Sequence, residues 1–349
     1  MLEKSVVADD ELPQLLRERY RIGDVFDVAH IESGSANCRV LATPRGHLFL
    51  KEFQSGHNVD DIRREPAVAE HLRREGVPTA KFIPTVDGDF VWIFRERAFC
   101  MREYVEGLVY GQNRAPDWLM TRSAEVLADI CASLGDFPGL PVGFSEAWLR
   151  FNRQQRLDQV DSLIAFAMDS DLSGAERKQT IEELRFKRAL IDTVSYMSFD
   201  LGEFTVGGTH GDYSVIQLIC RGEDIASVVD FSSACRMPYV WEVMRSFVLA
   251  HPGSAGGEVD IEALAGYFEA FCRRVPLSGY DLANAGPFFL FHQARSLYGY
   301  REYLLHGTEN RRLLLDFAHW RTSLCRWLLE YMDKLEKRFS ELEVQPNRA

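Results

Sequence analysis

The stretch "HGDYSVIQLICRGEDIASVVDF", residues 210–231, decides how this chain is read. Two short apolar runs, 215–220 and 225–229, flank "RGED", which has the composition of a tight turn. A hairpin folded there sets its two open ends side by side. Those ends carry Asp212 and Asp230, and Gln217, at the start of the first strand, is close to both.

Upstream of this hairpin the chain divides in character. Residues 11–20 have the spacing of a short amphipathic helix. Residues 24–53 read as three strands punctuated by "ESGS" and "TPRG", and 59–75 as a helix. Pro66 is expected in that helix's first turn, because an interior proline breaks a helix. "FIPTVDGDFVWIF" and "AFCMREYV" supply two or three more strands, with "VDGD" as a hairpin turn. Residues 1–105 therefore read as a small lobe: a leading helix, then an antiparallel sheet carrying one helix. From Gly107 onward long helical patterns dominate, at 116–135, 146–168, 174–197, 261–274, 286–305 and 308–338. The hairpin strands are the strand-like material expected among them, so 106–349 reads as a large helical lobe with the hairpin, 207–231, embedded in it. The fold class is α+β.

The totals narrow the function classes. At 349 residues there is room for two lobes. No apolar run nears the roughly 18–20 residues of a membrane helix, and the first residues lack a signal-type apolar core, so a soluble cytoplasmic protein is expected. Lys plus Arg is 40 against 52 Asp plus Glu, a net charge of −12, which argues against nucleic acid as a partner. The seven cysteines have no paired spacing, so neither a disulfide framework nor a zinc site is indicated.

Phosphoryl transfer from a nucleotide calls for a set like the one in the hairpin. One carboxylate positions and deprotonates an acceptor hydroxyl; a second, helped by a carboxamide oxygen, holds Mg²⁺ against the phosphates. In order and spacing, "HGDYSVIQL" followed by "VVDFSSA" resembles the catalytic hairpin of the aminoglycoside phosphotransferase family, which includes choline kinase and homoserine kinase relatives and has a two-lobed protein-kinase-like fold. The resemblance runs over about residues 25–250. It implies Asp212 as catalytic base, Asp230 as principal metal ligand, and Gln217 at the position where the family has a metal-binding Asn. His210 is expected to organise the loop backbone.

The family also needs a lysine on the third strand and a helix glutamate to hold it. "HLFLKEF" offers Lys51, on the opposite strand face from Leu48 and Leu50; "IRREPAVAEHL" offers Glu65, with Glu70 a turn further on as the second candidate. "ESGSANCRV" is similar to the family's small-residue turn over the nucleotide phosphates, which implicates Ser33, Gly34, Ser35 and Asn37. "CMREYVEG" resembles the segment joining the lobes, where backbone near Glu103 and Tyr104 would meet the base. Glu242 stands where the family has a supporting Asp downstream of the hairpin.

What the resemblance implies is a kinase moving the γ-phosphate of ATP (or GTP), with Mg²⁺, to an alcohol group of a small acceptor. The alternative is a catalytically weak or inactive nucleotide-binding pseudokinase with a regulatory or scaffolding role. For the acceptor, 145–200 and 260–305 are the places to look. His292, Arg295, Tyr298 and Gly299 share adjoining turns, and Trp148, Trp241 and Tyr239 offer either a cation box or core packing. The overall negative charge leans towards an amine-bearing acceptor. Acceptor identity and oligomeric state are not legible.

Overall fold

The computed structural model describes residues 3–31, 36–150, 152–307 and 310–342. They form two compact units, one running up to Val109 and including Ile216–Ala234, the other comprising the rest.

In the first unit five antiparallel strands, β1 (Asp27–Ile31), β2 (Asn37–Thr43), β3 (Gly46–Glu52), β4 (Val91–Phe94) and β5 (Arg97–Glu103), lie in the order β1-β2-β3-β5-β4. Alternation fixes which face is buried. Leu48 and Leu50 of β3 join Leu41, Trp92, Phe99 and Met101 in a core closed by Leu12, Leu16 and Tyr20 of and beside helix α1 (Leu12–Arg19). Lys51 takes the other face of the central strand, paired with Cys38 on one side and Cys100 on the other.

Helix α2 (Val59–Arg74) contains Pro66 in its interior, not in its first turn. The start is fixed upstream, where the Asn58 side chain accepts a hydrogen bond from the Asp60 N–H at 2.9 Å. The buried stripe of Ile62, Glu65, Val68, Ala69 and Leu72 extends to both sides of a buried Pro66. Packing along the whole stripe outweighs the roughly 3 kcal/mol that an interior proline costs. "VDGD" does turn, with Gly88 at φ +86° and Gly88 N–H bonded to the Thr85 carbonyl at 3.0 Å. It leads into β4, however, and ahead of it Phe82 makes only an isolated bridge. The two-residue hairpin turn is Arg95–Glu96, both at positive φ, joining β4 to β5.

The hairpin singled out in the sequence consists of strands Leu218–Arg221 and Asp224–Val228. Gln217 lies just outside the first strand, in a single 3₁₀ turn, Val215–Gln217. The hairpin groups with the β-rich unit rather than with the helices that surround it in sequence. Its backbone explains this: Cys220 bridges Leu108, and the Val228 N–H bonds the Pro78 carbonyl at 2.7 Å.

The second unit is built on α3 (Asp117–Leu134), α4 (Glu146–Leu149), α5 (Arg153–Met168), α6 (Gly174–Val194), α7 (Tyr239–Ala250), α8 (Ile261–Cys272), α9 (Gly279–Arg295), α10 (Tyr298–Arg301) and α11 (Arg311–Ser340). Residues 146–168, expected as one helix, are two, because Asn152 starts a new one by capping the Gln155 N–H at 3.0 Å. Residues 286–305 are likewise divided. A capping box of Ser278 and Asp281 begins α9 well before Pro287, and α10 passes into a π-turn, Glu302–His306.

One sheet escaped the sequence patterns. Val206–Thr209 pairs antiparallel with Cys235–Pro238, although two glycines in one strand and a terminal proline in the other give little strand signal. Close packing demands those glycines. A Cβ on Gly208 would stand 2.3 Å from the Leu134 carbonyl oxygen and 2.7 Å from the Leu140 side chain. Gly208→Ala is therefore expected to destabilise the protein by about 2–3 kcal/mol, read as a lower urea midpoint. An unchanged midpoint would show that α3 can move away.

Candidate active site

In the β-rich unit three predicted residues meet at one ammonium. Lys51 Nζ donates to Glu65 Oε2 at 3.1 Å and to Asp230 Oδ1 at 2.8 Å, and lies 4.8 Å from the centre of the Phe53 ring. Glu65 is buried, at 3 % exposure. Burial works against the Lys51 charge, but the two carboxylates outweigh it and hold the ammonium above its ordinary pKa. Glu70, the second candidate, turns away to Arg73 at 2.8 Å and to the Phe82 N–H at 3.3 Å.

Asp230 has left-handed backbone angles, φ 67° and ψ 61°, as the residue before a 3₁₀ turn, Phe231–Ser233. Aspartate is among the few residues that tolerate this conformation, and such strain concentrates at functional sites. Its Oδ1 also accepts from Ser232 Oγ at 2.9 Å, and the side chain is 43 % exposed. The Gln217 carbonyl accepts the Val229 N–H at 3.1 Å, which places Gln217 across the hairpin mouth from the residue preceding Asp230.

The other nucleotide-side candidates are distributed differently. Ser33, Gly34 and Ser35 lie outside the described residues. Asn37 opens β2, its Nδ2 donating to the Glu3 carbonyl at 3.0 Å. The N–H groups of Glu103 and Tyr104 bond the carbonyls of Lys81 and His47, at 2.9 and 3.1 Å.

In the helical unit the loop carrying Asp212 is held from α7. His210 is fully buried and its Nδ1 accepts the Asp212 N–H at 3.3 Å, so it organises the backbone as expected. Glu242 Oε1 accepts the Tyr213 N–H at 3.0 Å. Arg245, one turn on along the same helix face, donates to the Tyr213 carbonyl at 2.8 Å and forms an ion pair with Asp212 Oδ1. Arg245 was missed from sequence. Its signal was there: in "WEVMR" it stands three residues after Glu242, where side chains share a helix face.

Farther along this unit, His292 of α9 stacks on Trp148 and meets the edge of Trp241, with centroids 5.8 and 5.1 Å apart. Tyr239 packs elsewhere, against Phe271, so these aromatics form core contacts rather than a cation box. Burial, then Arg321, Arg245, Arg295 and Lys187, push the His292 pKa down to about 3. The imidazole is therefore neutral in the folded protein across the range where an unfolded histidine, near 6.5, gains a proton. Stability from this site is complete above pH 6.5 and is lost as pH falls towards 3. Exchanging His292 for Phe should make the variant about 2 kcal/mol less sensitive than the parent to a change from pH 7 to 5, measured by urea unfolding at both values. Parallel losses in both proteins would refute the assignment.

Residues 27–282 match the sequence profile of the phosphotransferase enzyme family. The chain belongs to that family. A homoserine kinase of Mesorhizobium japonicum is 24 % identical over 247 residues, 68 % of either protein. Solved structures share the protein-kinase-like fold at low identity. A spectinomycin phosphotransferase in complex with ADP and spectinomycin has a TM-score of 0.60 at 14 % identity, covering 97 % of this chain and 100 % of that one. An amicoumacin kinase in complex with AMP-PNP and Ca²⁺ has a TM-score of 0.61 at 12 % identity, covering 94 % of each. The phosphotransferase is thus a member of a small-molecule kinase family with the α+β architecture expected from its sequence. Among the described residues no helix is long and apolar enough to cross a membrane.

Proposed function

We propose that this phosphotransferase moves the γ-phosphoryl group of ATP to the hydroxyl of a small molecule, with Asp212 as the base. The observation carrying this reading is Lys51 held between buried Glu65 and the left-handed Asp230. A lysine fixed by a helix glutamate is the arrangement that presents an ammonium to phosphate oxygens. The homoserine kinase relative, and neighbours seen with ADP and with AMP-PNP, support the same direction.

Each residue has a task in this scheme. Lys51 binds phosphate oxygens and keeps the donor in place. Asp212, oriented through Arg245, accepts the hydroxyl proton as the oxygen attacks phosphorus and the bond to ADP breaks. Asp230 and Gln217 offer a carboxylate and a carboxamide oxygen, hard donors of the kind Mg²⁺ takes, with phosphates and water completing its shell. Bound Mg²⁺ would neutralise charge on the transferring phosphates. Among the described residues there is no group of three or more His, Cys, Asp or Glu side chains fit for a metal, and a site shared with phosphates does not require one.

The test is acceptor-dependent ADP release, with and without chelator, across amino alcohols, sugars, aminoglycosides and hydroxy amino acids. Absence of release with every alcohol would refute the reading. Gln217→Asn adds a finer prediction. Asparagine fixes one rotor fewer, so half-saturation by Mg²⁺ is expected at about two- to threefold lower concentration. No shift would remove Gln217 from the metal shell.

A further inference from the structure

A cavity of about 240 Å³ in the helical unit has arginines in its wall and no acidic side chain. It is bounded by Trp148 of α4, Arg156 of α5, His292 and Arg295 of α9, and Tyr298 and Arg301 of α10. The Arg295 guanidinium lies over Trp148 at 4.3 Å and over Phe291 at 4.8 Å, which fixes its plane. Arg156 donates to Gln159 at 2.9 Å, an uncharged partner. Behind the wall Arg321 bonds Ser296 Oγ, another cavity residue. Among the described residues, no carboxylate forms an ion pair with Arg156, Arg301 or Arg321. Burial, and after it the neighbouring Arg156, lower the Arg295 pKa to about 10. Gathered arginines repel and lose hydration, and an anion seated among them offsets both.

The cavity is also connected to the proposed base by direct contacts within the same unit. Arg245, which grips Asp212, has its guanidinium 5.8 Å from the centre of the Trp241 ring. Trp241 meets His292 edge-on, and His292 lines the cavity. A neutral His292 adds a hydrogen-bonding group without adding repulsion.

Building on the kinase reading above, we infer that the acceptor alcohol carries an anionic group, a carboxylate or a phosphate, which this cavity binds through Arg156, Arg295 and Arg301. The net charge of −12 leans towards an amine-bearing acceptor, and an anionic group on the same molecule is compatible with that. Local charge is opposite to the total. Trp148, moreover, has His292 stacked on it and the Arg295 guanidinium over its ring, so its faces are not those of an ammonium cage.

Matched acceptors test the inference in the full-length protein with Mg²⁺ and ATP. L-Homoserine is compared with 3-amino-1-propanol, the same amino alcohol without its carboxylate; D-glycerate with ethylene glycol; and glycerol 3-phosphate with glycerol. In at least one pair the anionic member is expected to exceed its partner by about 30-fold in kcat/KM, the range of one or two charge-assisted hydrogen bonds. Whether a carboxylate or the phosphate pair responds identifies the group. Arg301→Ala, at an exposed position that leaves the fold intact, should narrow that ratio about tenfold, mainly through KM. Arg301→Lys should restore part of it, and Arg156→Ala should act like Arg301→Ala. Equal or better turnover of the uncharged or cationic member in every pair overturns the inference while leaving the kinase reading intact. So does a ratio that neither alanine variant changes. No ADP release with any of these six, when a sugar or aminoglycoside does give release, overturns the inference alone; no release with any alcohol overturns both.

Discussion

Asp212→Asn is expected to lower kcat for phosphoester formation by about a thousandfold, with affinity for the nucleotide within a factor of about two of the parent. Asparagine keeps the shape of the side chain and an oxygen for Arg245, so the grip from α7 survives while the proton acceptor is lost. The Asp212 side chain is 44 % exposed, and the ion pair it forms contributes little to folding. The two explanations of Asp212 therefore separate cleanly. If Asp212 is only the partner of Arg245, the variant is slightly less stable and turns over normally. If Asp212 is the base, stability and nucleotide binding stay and chemistry stops. Single-turnover product formation, read beside a urea midpoint and a nucleotide titration, tells them apart. The same experiment addresses the inactive-module alternative, since a chain with no turnover to lose would show no difference between parent and variant.

How much of this site could be read from the sequence depends on how local the determining forces are. Lys51 was legible because the family resemblance calls for a lysine on the third strand, and strand alternation puts this one opposite Leu48 and Leu50. Glu65 was legible because the resemblance calls for a glutamate in the helix after that strand, and the buried stripe of α2 runs through it. Where long-range packing decides, local rules misled. Pro66 is tolerated in mid-helix because tertiary burial holds α2 on both sides of it. Arg95–Glu96 adopts a turn usually made with glycine, and neither residue advertises it. Gly207 and Gly208 look like a loop until Tyr239 and Leu134 are seen pressed against them. Arg245 reaches Asp212 from 33 residues away, a distance no local pattern spans. The cavity arginines were half visible: Arg295 stood out beside His292, but Arg156 and Arg301 come from other helices and are united only by folding.

Lys51→Met is expected to act on stability and activity together, and a second substitution separates the two effects. Removing the ammonium leaves Glu65, at 3 % exposure, with a buried charge, no lysine and only the longer-range attraction of Arg102. Breaking a buried pair from one side costs about 3–5 kcal/mol, because the remaining ion keeps its desolvation penalty and loses its compensation. Asp230 loses the same partner but is far more exposed, so water replaces much of what the lysine provided. The loss should therefore trace to Glu65. Replacing both, Lys51→Met with Glu65→Leu, removes the stranded charge and leaves apolar groups of similar size. It should recover most of the stability, giving a coupling of several kcal/mol in a double-mutant cycle of urea unfolding. Activity should not recover, since the proposed phosphate contact is still missing. A double variant as unstable as the single one would mean that the ion pair was not the source of the loss. A stable double variant with parental turnover would mean that Lys51 serves the fold and not the phosphate.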